Sequence, residues 1–303
     1  MLNNHTRSVS TNRTLSQMPP KFGYFHTVYY IIKCEICIKN KLFEIMEKQQ
    51  EMLSDISEEK YSNHPVVSQQ DWITARKQLL VKEKELSRLQ DELSAERRAL
   101  PWTKVDKNYT FESTHGPVTL SGLFGKNSQL LIYHFMFAPE WEEGCPGCSF
   151  LADHIDGANL HLAHHDVSVV VVSRAPLATI LPFKKRMEWK FEWVSSFSSD
   201  FNYDYHVSFT DEQIEKGQVY YNYEYAKHDS GTESPGTSVF YKDEEGNIYH
   251  TYSAYARGGD VLIGAHNFLD FTPKGRNEDV IMDWMRHHDK YEDFKKDPGS
   301  CCH

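Results

Sequence analysis

The chain has 303 residues, 40% of them hydrophobic and 13% aromatic, enough to bury one substantial core with an appended helix. Its formal charge of −10, without any Lys/Arg-rich tract, excludes a general nucleic-acid binder, because phosphate binding needs a concentrated basic face. The most membrane-like run, Tyr24 to Ile38, is interrupted by Lys33 and Glu35 and falls short of the roughly 20 apolar residues that a span requires, so no membrane partner is expected.

Residues 1–63 are polar, aperiodic and rich in Ser, Thr and Asn apart from that aromatic patch. They read as a disordered or spurious extension, with an internal start at Met46 as one version of that reading. Residues 64–102 read as one long amphipathic helix. Ser68-Gln69-Gln70-Asp71 is an N-cap pattern, and Trp72, Leu79, Leu86, Leu93 and Leu100 follow at seven-residue spacing, with Leu89 beside them. The helix is expected to end before Pro101, spanning about 45 Å at 1.5 Å per residue. Its apolar stripe packs on the domain or on a second subunit, which makes a homo-oligomer through residues 69–100 an expected partner arrangement.

Residues 103–294 carry the pattern of an α/β domain. Tyr109-Thr110-Phe111 and Val118-Thr119-Leu120 flank turn residues and read as a hairpin. A buried strand at 129–137 leads to Cys145-Pro146-Gly147-Cys148 and a helix to about Leu162, followed by the near-continuous apolar strand Val167 to Val172. Strand, helix and strand with apolar runs means parallel pairing, buried on both faces. Pro176 opens another helix through Lys184 to Met187, shortened or kinked at Pro182. A short strand at Trp193-Val194-Ser195 and a short helix from Asp200 to Val207 follow. Residues 208–234, Tyr-rich and polar, read as an insertion with one strand around Val219 to Tyr223. A hairpin of Thr237–Tyr241 and Ile248–Ser253 turns at Asp243-Glu244-Glu245-Gly246-Asn247. Helices near Asp260–His266 and Glu278–His288 close the domain, and 295–303 is a flexible tail.

The six cysteines fall as three close pairs, Cys34/Cys37, Cys145/Cys148 and Cys301/Cys302. A secreted disulfide framework spreads its cysteines more widely, and no signal for export opens the sequence, so a reducing, cytoplasmic setting is expected. Only Cys145/Cys148 sits between a core strand and a helix. At a helix start, exposed backbone N–H groups and the macrodipole favour the thiolate, which makes Cys145 the candidate nucleophile. Cys148, one turn along, is within reach to resolve a mixed disulfide. Pro146 fits the first turn, which does not use its missing N–H.

Alternatives stand beside this reading. Cys145 and Cys148 could be structural, either as inert thiols or as half of a zinc site completed by Cys34/Cys37. His154, His161, His164 and His165 read as solvated or satisfied rather than as ligands. Arg174, at the carboxyl end of a strand, either supports the Cys145 thiolate or caps a helix. Trp141, Glu142 and Glu143 crowd the approach to Cys145, and the two carboxylates would oppose an acidic thiol. No Gly-rich phosphate loop is present and no cofactor is expected.

The succession of elements looks like the thioredoxin fold in its peroxiredoxin-like branch, a three-layer α/β/α arrangement around a central mixed sheet, here with a long N-terminal amphipathic helix. More specifically, the chain resembles the thioredoxin-like family catalogued as domain of unknown function 899, sometimes described as predicted dithiol-disulfide oxidoreductases. Leu93-Ser94-Ala95-Glu96-Arg97-Arg98-Ala99-Leu100-Pro101-Trp102, Gly144-Cys145-Pro146-Gly147-Cys148-Ser149-Phe150 and Val172-Ser173-Arg174-Ala175-Pro176 carry the match, which runs from His64 to about Phe294. The resemblance implies a thiol-disulfide oxidoreductase acting on a disulfide-containing protein or small molecule and recycled by an external thiol. It departs at Gly147, where many relatives have Ser, and at Pro182. Thioredoxins place a cis-proline directly before a Thr facing the CxxC; here Gly236 precedes Thr237 and Pro235 stands one residue earlier. The Pro-x-x-x-Thr-x-x-Cys spacing of peroxiredoxins is also absent, since Pro139 is followed by Glu143 and Cys145. A thiol peroxidase and a redox-inactive binding protein are therefore the alternatives to a disulfide oxidoreductase.

Overall fold

Ser68 accepts a hydrogen bond from the Asp71 backbone N–H and so caps helix α1 (Gln69–Ala99) in the computed structural model, which describes residues 64–228 and 231–291. The chain divides into two compact units, Met1–Val67 and Ser68–His303. Of the first, His64–Val67 are described and are exposed and irregular. The rest of the extension 1–63, the tail 295–303 and the pairs Cys34/Cys37 and Cys301/Cys302 lie outside the described residues.

No residue of α1 is buried, and Trp72, Leu79, Leu86, Leu89 and Leu93 all stand exposed along it. At its C-terminal end the Arg97 guanidinium lies 5.5 Å from the centroid of the Tyr252 ring, and Trp102 packs on Tyr241 and Tyr249. Among the described residues no helix is long and apolar enough to cross a membrane.

The strands that follow are β1 (Thr103–Lys104), β2 (Thr110–Ser113), β3 (Gly116–Thr119), β4 (Gln129–His134), β5 (Val167–Ser173), β6 (Glu192–Ser195), β7 (Val219–Tyr221), β8 (Glu224–Ala226), β9 (Gly236–Lys242) and β10 (Ile248–Tyr255). Eight of them form one mixed sheet in the order β1-β10-β9-β4-β5-β6-β2-β3, while β7 and β8 pair as a separate hairpin. β4, β5 and β6 are parallel, and β9 runs antiparallel to β4. The valines of β5 suit this position, because a central parallel strand is covered on both faces.

Alternation along β4 feeds two cores. Tyr133, with Phe135 and Phe137 beyond the strand, faces helices α3 (Pro146–Ala152), α4 (Ile155–His164) and α5 (Leu177–Arg186). Leu130 and Ile132 face the opposite side with Phe111, Phe201, Phe240 and two short helices, α2 (Leu120–Leu123) and α6 (Phe201–Asp204). Helix, sheet and helix make three layers, the α/β/α arrangement with a central mixed sheet.

Five expectations are corrected. The helix after Cys145 does not run to Leu162 unbroken; it divides at Asp153 and His154, where the His154 ring donates from Nδ1 to the Phe150 carbonyl and accepts the Ala265 N–H at Nε2. Pro182 neither ends nor shortens its helix, which continues to Arg186 because Ile180 and Phe183 on either side are buried in the core. The insertion 208–234 holds two paired strands and a capped turn of helix at Asp211–Glu215 rather than one strand. No helix forms over 278–288: the Asp283 carboxylate accepts the backbone N–H groups of Asp279 and Val280, Met282 takes a left-handed φ of 63°, and the segment is held by tertiary contacts. The preceding helix expected near 260–266 is a 3₁₀ segment, Ala256–Leu262, followed by Gly264–Leu269.

Candidate active site

Cys145 is the N-cap of α3, with Pro146 at the first helical position. The geometry there is fixed by the Met136 backbone, whose carbonyl accepts the Cys145 N–H at 3.1 Å and whose N–H donates to Cys148 Sγ at 3.4 Å. Both the Ser149 N–H and its hydroxyl close the first turn on the Cys145 carbonyl. Gly144 is required just before it, since a Cβ there would lie 2.5 Å from Phe135 Cε1 and 2.9 Å from Phe183 Cε1.

The two thiols have opposite environments. Cys145 is half-buried and Cys148 is 2% exposed. The Cys148 thiol donates to Cys145 Sγ, and the backbone N–H groups of Cys148 and Gly147 add to it, so the Cys145 pKa is brought down from 9.0 to about 7 against the cost of desolvation. Burial and the neighbouring Cys145 sulfur push Cys148 well up. Tyr133, itself buried, donates its hydroxyl to Cys148 Sγ and partly offsets that rise. The half-buried sulfur thus stands at the helix start and the buried one a turn behind it.

The Glu143 carboxylate, two residues before Cys145, is directed elsewhere. Lys290 and Arg186 bond the Glu143 carboxyl and hold it near pKa 2, so its charge is matched by two cations. Arg186 also reaches Asp289 and donates to His287 Nδ1, while His287 donates from Nε2 to the Gly144 carbonyl at 2.8 Å. This network straps the segment 285–290 across the turn that presents Cys145.

Pro235, Gly236 and Thr237 line one cavity together with both cysteines. Trp141 packs against the core beside Cys145 and does not line that cavity. Arg174 is not brought to the thiol: its guanidinium binds the buried Glu233 carboxylate at 2.9 Å and covers the Tyr203 ring at 4.6 Å. Sequence reasoning missed Tyr133 as a partner of Cys148, and it missed Ile281 and Met282, which reach the cavity from the C-terminal segment. A lone tyrosine in an apolar strand beside a CxxC was the available sign for the first; nothing local marks the other two.

The family model described as bacterial protein of unknown function (DUF899) matches residues 61–291. No curated protein matches the chain. Among solved structures it is similar to peroxidoxin BcpB from Mycobacterium tuberculosis, with 14% identity, TM-score 0.38 and coverage of 55% of this chain and 94% of that one. A mutant of Xanthomonas campestris peroxiredoxin Q gives 14% identity and TM-score 0.35, covering 52% and 90%. A putative thiol:disulfide interchange protein DsbE from Chlorobium tepidum gives 13% identity and TM-score 0.32, covering 54% and 93%.

Proposed function

As the chain belongs to this bacterial family of unknown function, we propose that it is a thiol-disulfide oxidoreductase working through Cys145 and Cys148. One observation carries the reading: Cys145 caps the start of a helix with Cys148 one turn behind it, and both line the same cavity. A nucleophile and a resolving thiol are thus held together, with the more acidic sulfur outermost.

In the forward step Cys145 thiolate attacks one sulfur of a substrate disulfide, forming a mixed disulfide and expelling a thiolate. Cys148 then loses its proton to the departing sulfur and attacks Cys145 Sγ, which closes the protein disulfide and releases the second thiol. Two electrons have passed to the substrate, and an external dithiol returns them. The Tyr133 hydroxyl supports the second step by stabilising Cys148 as it ionises.

The same thiolate would also attack a peroxide oxygen, giving a sulfenic acid that Cys148 condenses with loss of water. What favours disulfide chemistry is that Arg174, the cation at the carboxyl end of β5, is committed to Glu233 and so is not available to a bound peroxide.

The test is alkylation mass and turnover. Of the six cysteines, Cys145 and Cys148 should account for two iodoacetamide adducts that reduced protein gains, oxidation by a disulfide removes and DTT restores. Cys145→Ser should abolish disulfide reduction, and Cys148→Ser should accumulate a mixed disulfide at Cys145. Oxidation by hydrogen peroxide much faster than by any disulfide would establish the peroxidase instead. Two permanently alkylatable, unreactive thiols would leave a structural pair.

A further inference from the structure

The cavity next to the dithiol has a volume of about 270 Å³, at the small end of ligand sites. Its walls are apolar: Tyr133, Met136, Leu151, Ala254, Ile263 and Met282 surround the cysteines. The charged groups that line it, Arg257 and Asp260, bind each other at 3.0 Å, and Asp260 has Arg276 as a further neighbour. A charged ligand therefore meets no unmatched charge there, and desolvating one would go uncompensated.

The backbone of the loop facing Cys145 is equally committed. The Ser234 N–H donates to the Val207 carbonyl, and the Pro235 carbonyl accepts the Tyr221 hydroxyl at 2.7 Å. The Ala256 N–H in turn donates to Tyr221 Oη at 2.8 Å. Gly236 is paired on both sides, with His134 and with Tyr255. An extended peptide laid across this loop would find the Ser234 N–H and the Pro235 carbonyl already bonded, which weakens the usual source of affinity for a polypeptide substrate. Tyr221 comes from the inserted hairpin β7–β8, so the insertion itself occupies that docking edge.

We propose that the cavity binds a neutral, low-molecular-weight aliphatic disulfide, with its S–S bond against Cys145 and its chains along Leu151, Ala254 and Ile263. This rests on the oxidoreductase reading above and narrows its substrate. The reaction balances as follows: the Cys145 thiolate displaces one alkyl thiolate from the S–S bond, that thiolate takes the Cys148 proton, and Cys148 sulfur displaces the second, which takes from water the proton that Cys145 released on ionising. One disulfide becomes two alkyl thiols while the protein dithiol becomes a disulfide.

The experiment follows oxidation of the reduced full chain by dipropyl disulfide, oxidised glutathione and insulin. Each rate is divided by that probe's rate with DTT at the same pH, and iodoacetamide labelling reports intrinsic access to Cys145. The normalised rate for dipropyl disulfide should exceed the other two at least tenfold. Filling the wall with Ala254→Phe, or placing a charge on the exposed rim with Ile281→Glu, should each reduce the ratio of the dipropyl rate to the iodoacetamide rate by at least tenfold. Ile281 is 64% exposed, so that variant does not depend on repacking a core. Oxidised glutathione or insulin reacting as fast as dipropyl disulfide, or both variants leaving the ratio unchanged, would overturn the substrate assignment and leave the oxidoreductase standing. Failure of every disulfide to oxidise a pair that iodoacetamide still labels would overturn both.

Discussion

The Tyr133 hydroxyl donates a hydrogen bond to Cys148 Sγ, and both groups are buried. A donor to an ionising sulfur is worth about 1.5–3 kcal/mol, or roughly tenfold or more in the rate of a step that forms the thiolate. Tyr133→Phe keeps the ring and removes the donor. The mixed disulfide at Cys145 should therefore persist about tenfold longer in single-turnover quench experiments, while its rate of formation changes little.

Cys145 labelling should titrate near neutrality. Its thiolate is favoured from about pH 7 instead of 9.0, so the iodoacetamide rate should rise through pH 7 and level off by pH 8 to 9. Cys148→Ala removes the largest stabilising contact, the thiol donor, and should move the midpoint upward. A midpoint that stays at 7 in this variant would assign the effect to the backbone N–H groups alone.

Glu233 should make stability pH-dependent. Burial raises its pKa from 4.5 to about 7 despite Arg174 and Ser208 at its oxygens. The folded state thus binds the proton more tightly than the unfolded one. The stabilisation is complete below about pH 4.5 and is lost as pH rises through 7, an effect on the order of 3 kcal/mol between the limits. Glu233→Gln should flatten that part of the melting-temperature profile.

Two glycines should respond oppositely to alanine. At Gly144 the new methyl group collides with the Phe135 and Phe183 rings, and overpacking of this kind costs about 1–3 kcal/mol. Gly157, inside α4, has open space at its Cβ position, so Gly157→Ala should stabilise by roughly 0.5–1 kcal/mol through helix propensity. Thermal melts of the two variants check the contrast.

The helix that starts at Cys145 was legible because its signals are local: an apolar strand, a CxxC and a proline at the first helical position lie within one short stretch. The parallel strands were legible for the same reason, the valine run of β5 admitting no exposed face. The C-terminal segment was not. Its Glu278–His288 residues look helical in isolation, but the Asp283 side chain, the Arg186–His287 contact and the His287–Gly144 bond override propensity, and none is visible without the fold. Arg174 was placed at the correct edge of the sheet, yet its partner sits in the insertion, 59 residues away.

The pairing of Tyr133 with Thr237 has a kinetic meaning. Strands β4 and β9 join positions as far apart as Gln129 and Tyr241, 112 residues, so the wall opposite the dithiol is a late product of folding. On a ribosome adding about 5–20 residues per second, Cys145 and Cys148 emerge on the order of ten seconds before β9 can close over them. During that interval the nascent chain carries two adjacent, unshielded thiols without the cavity that later selects what reaches them, and its protection then depends on the reducing capacity of its surroundings.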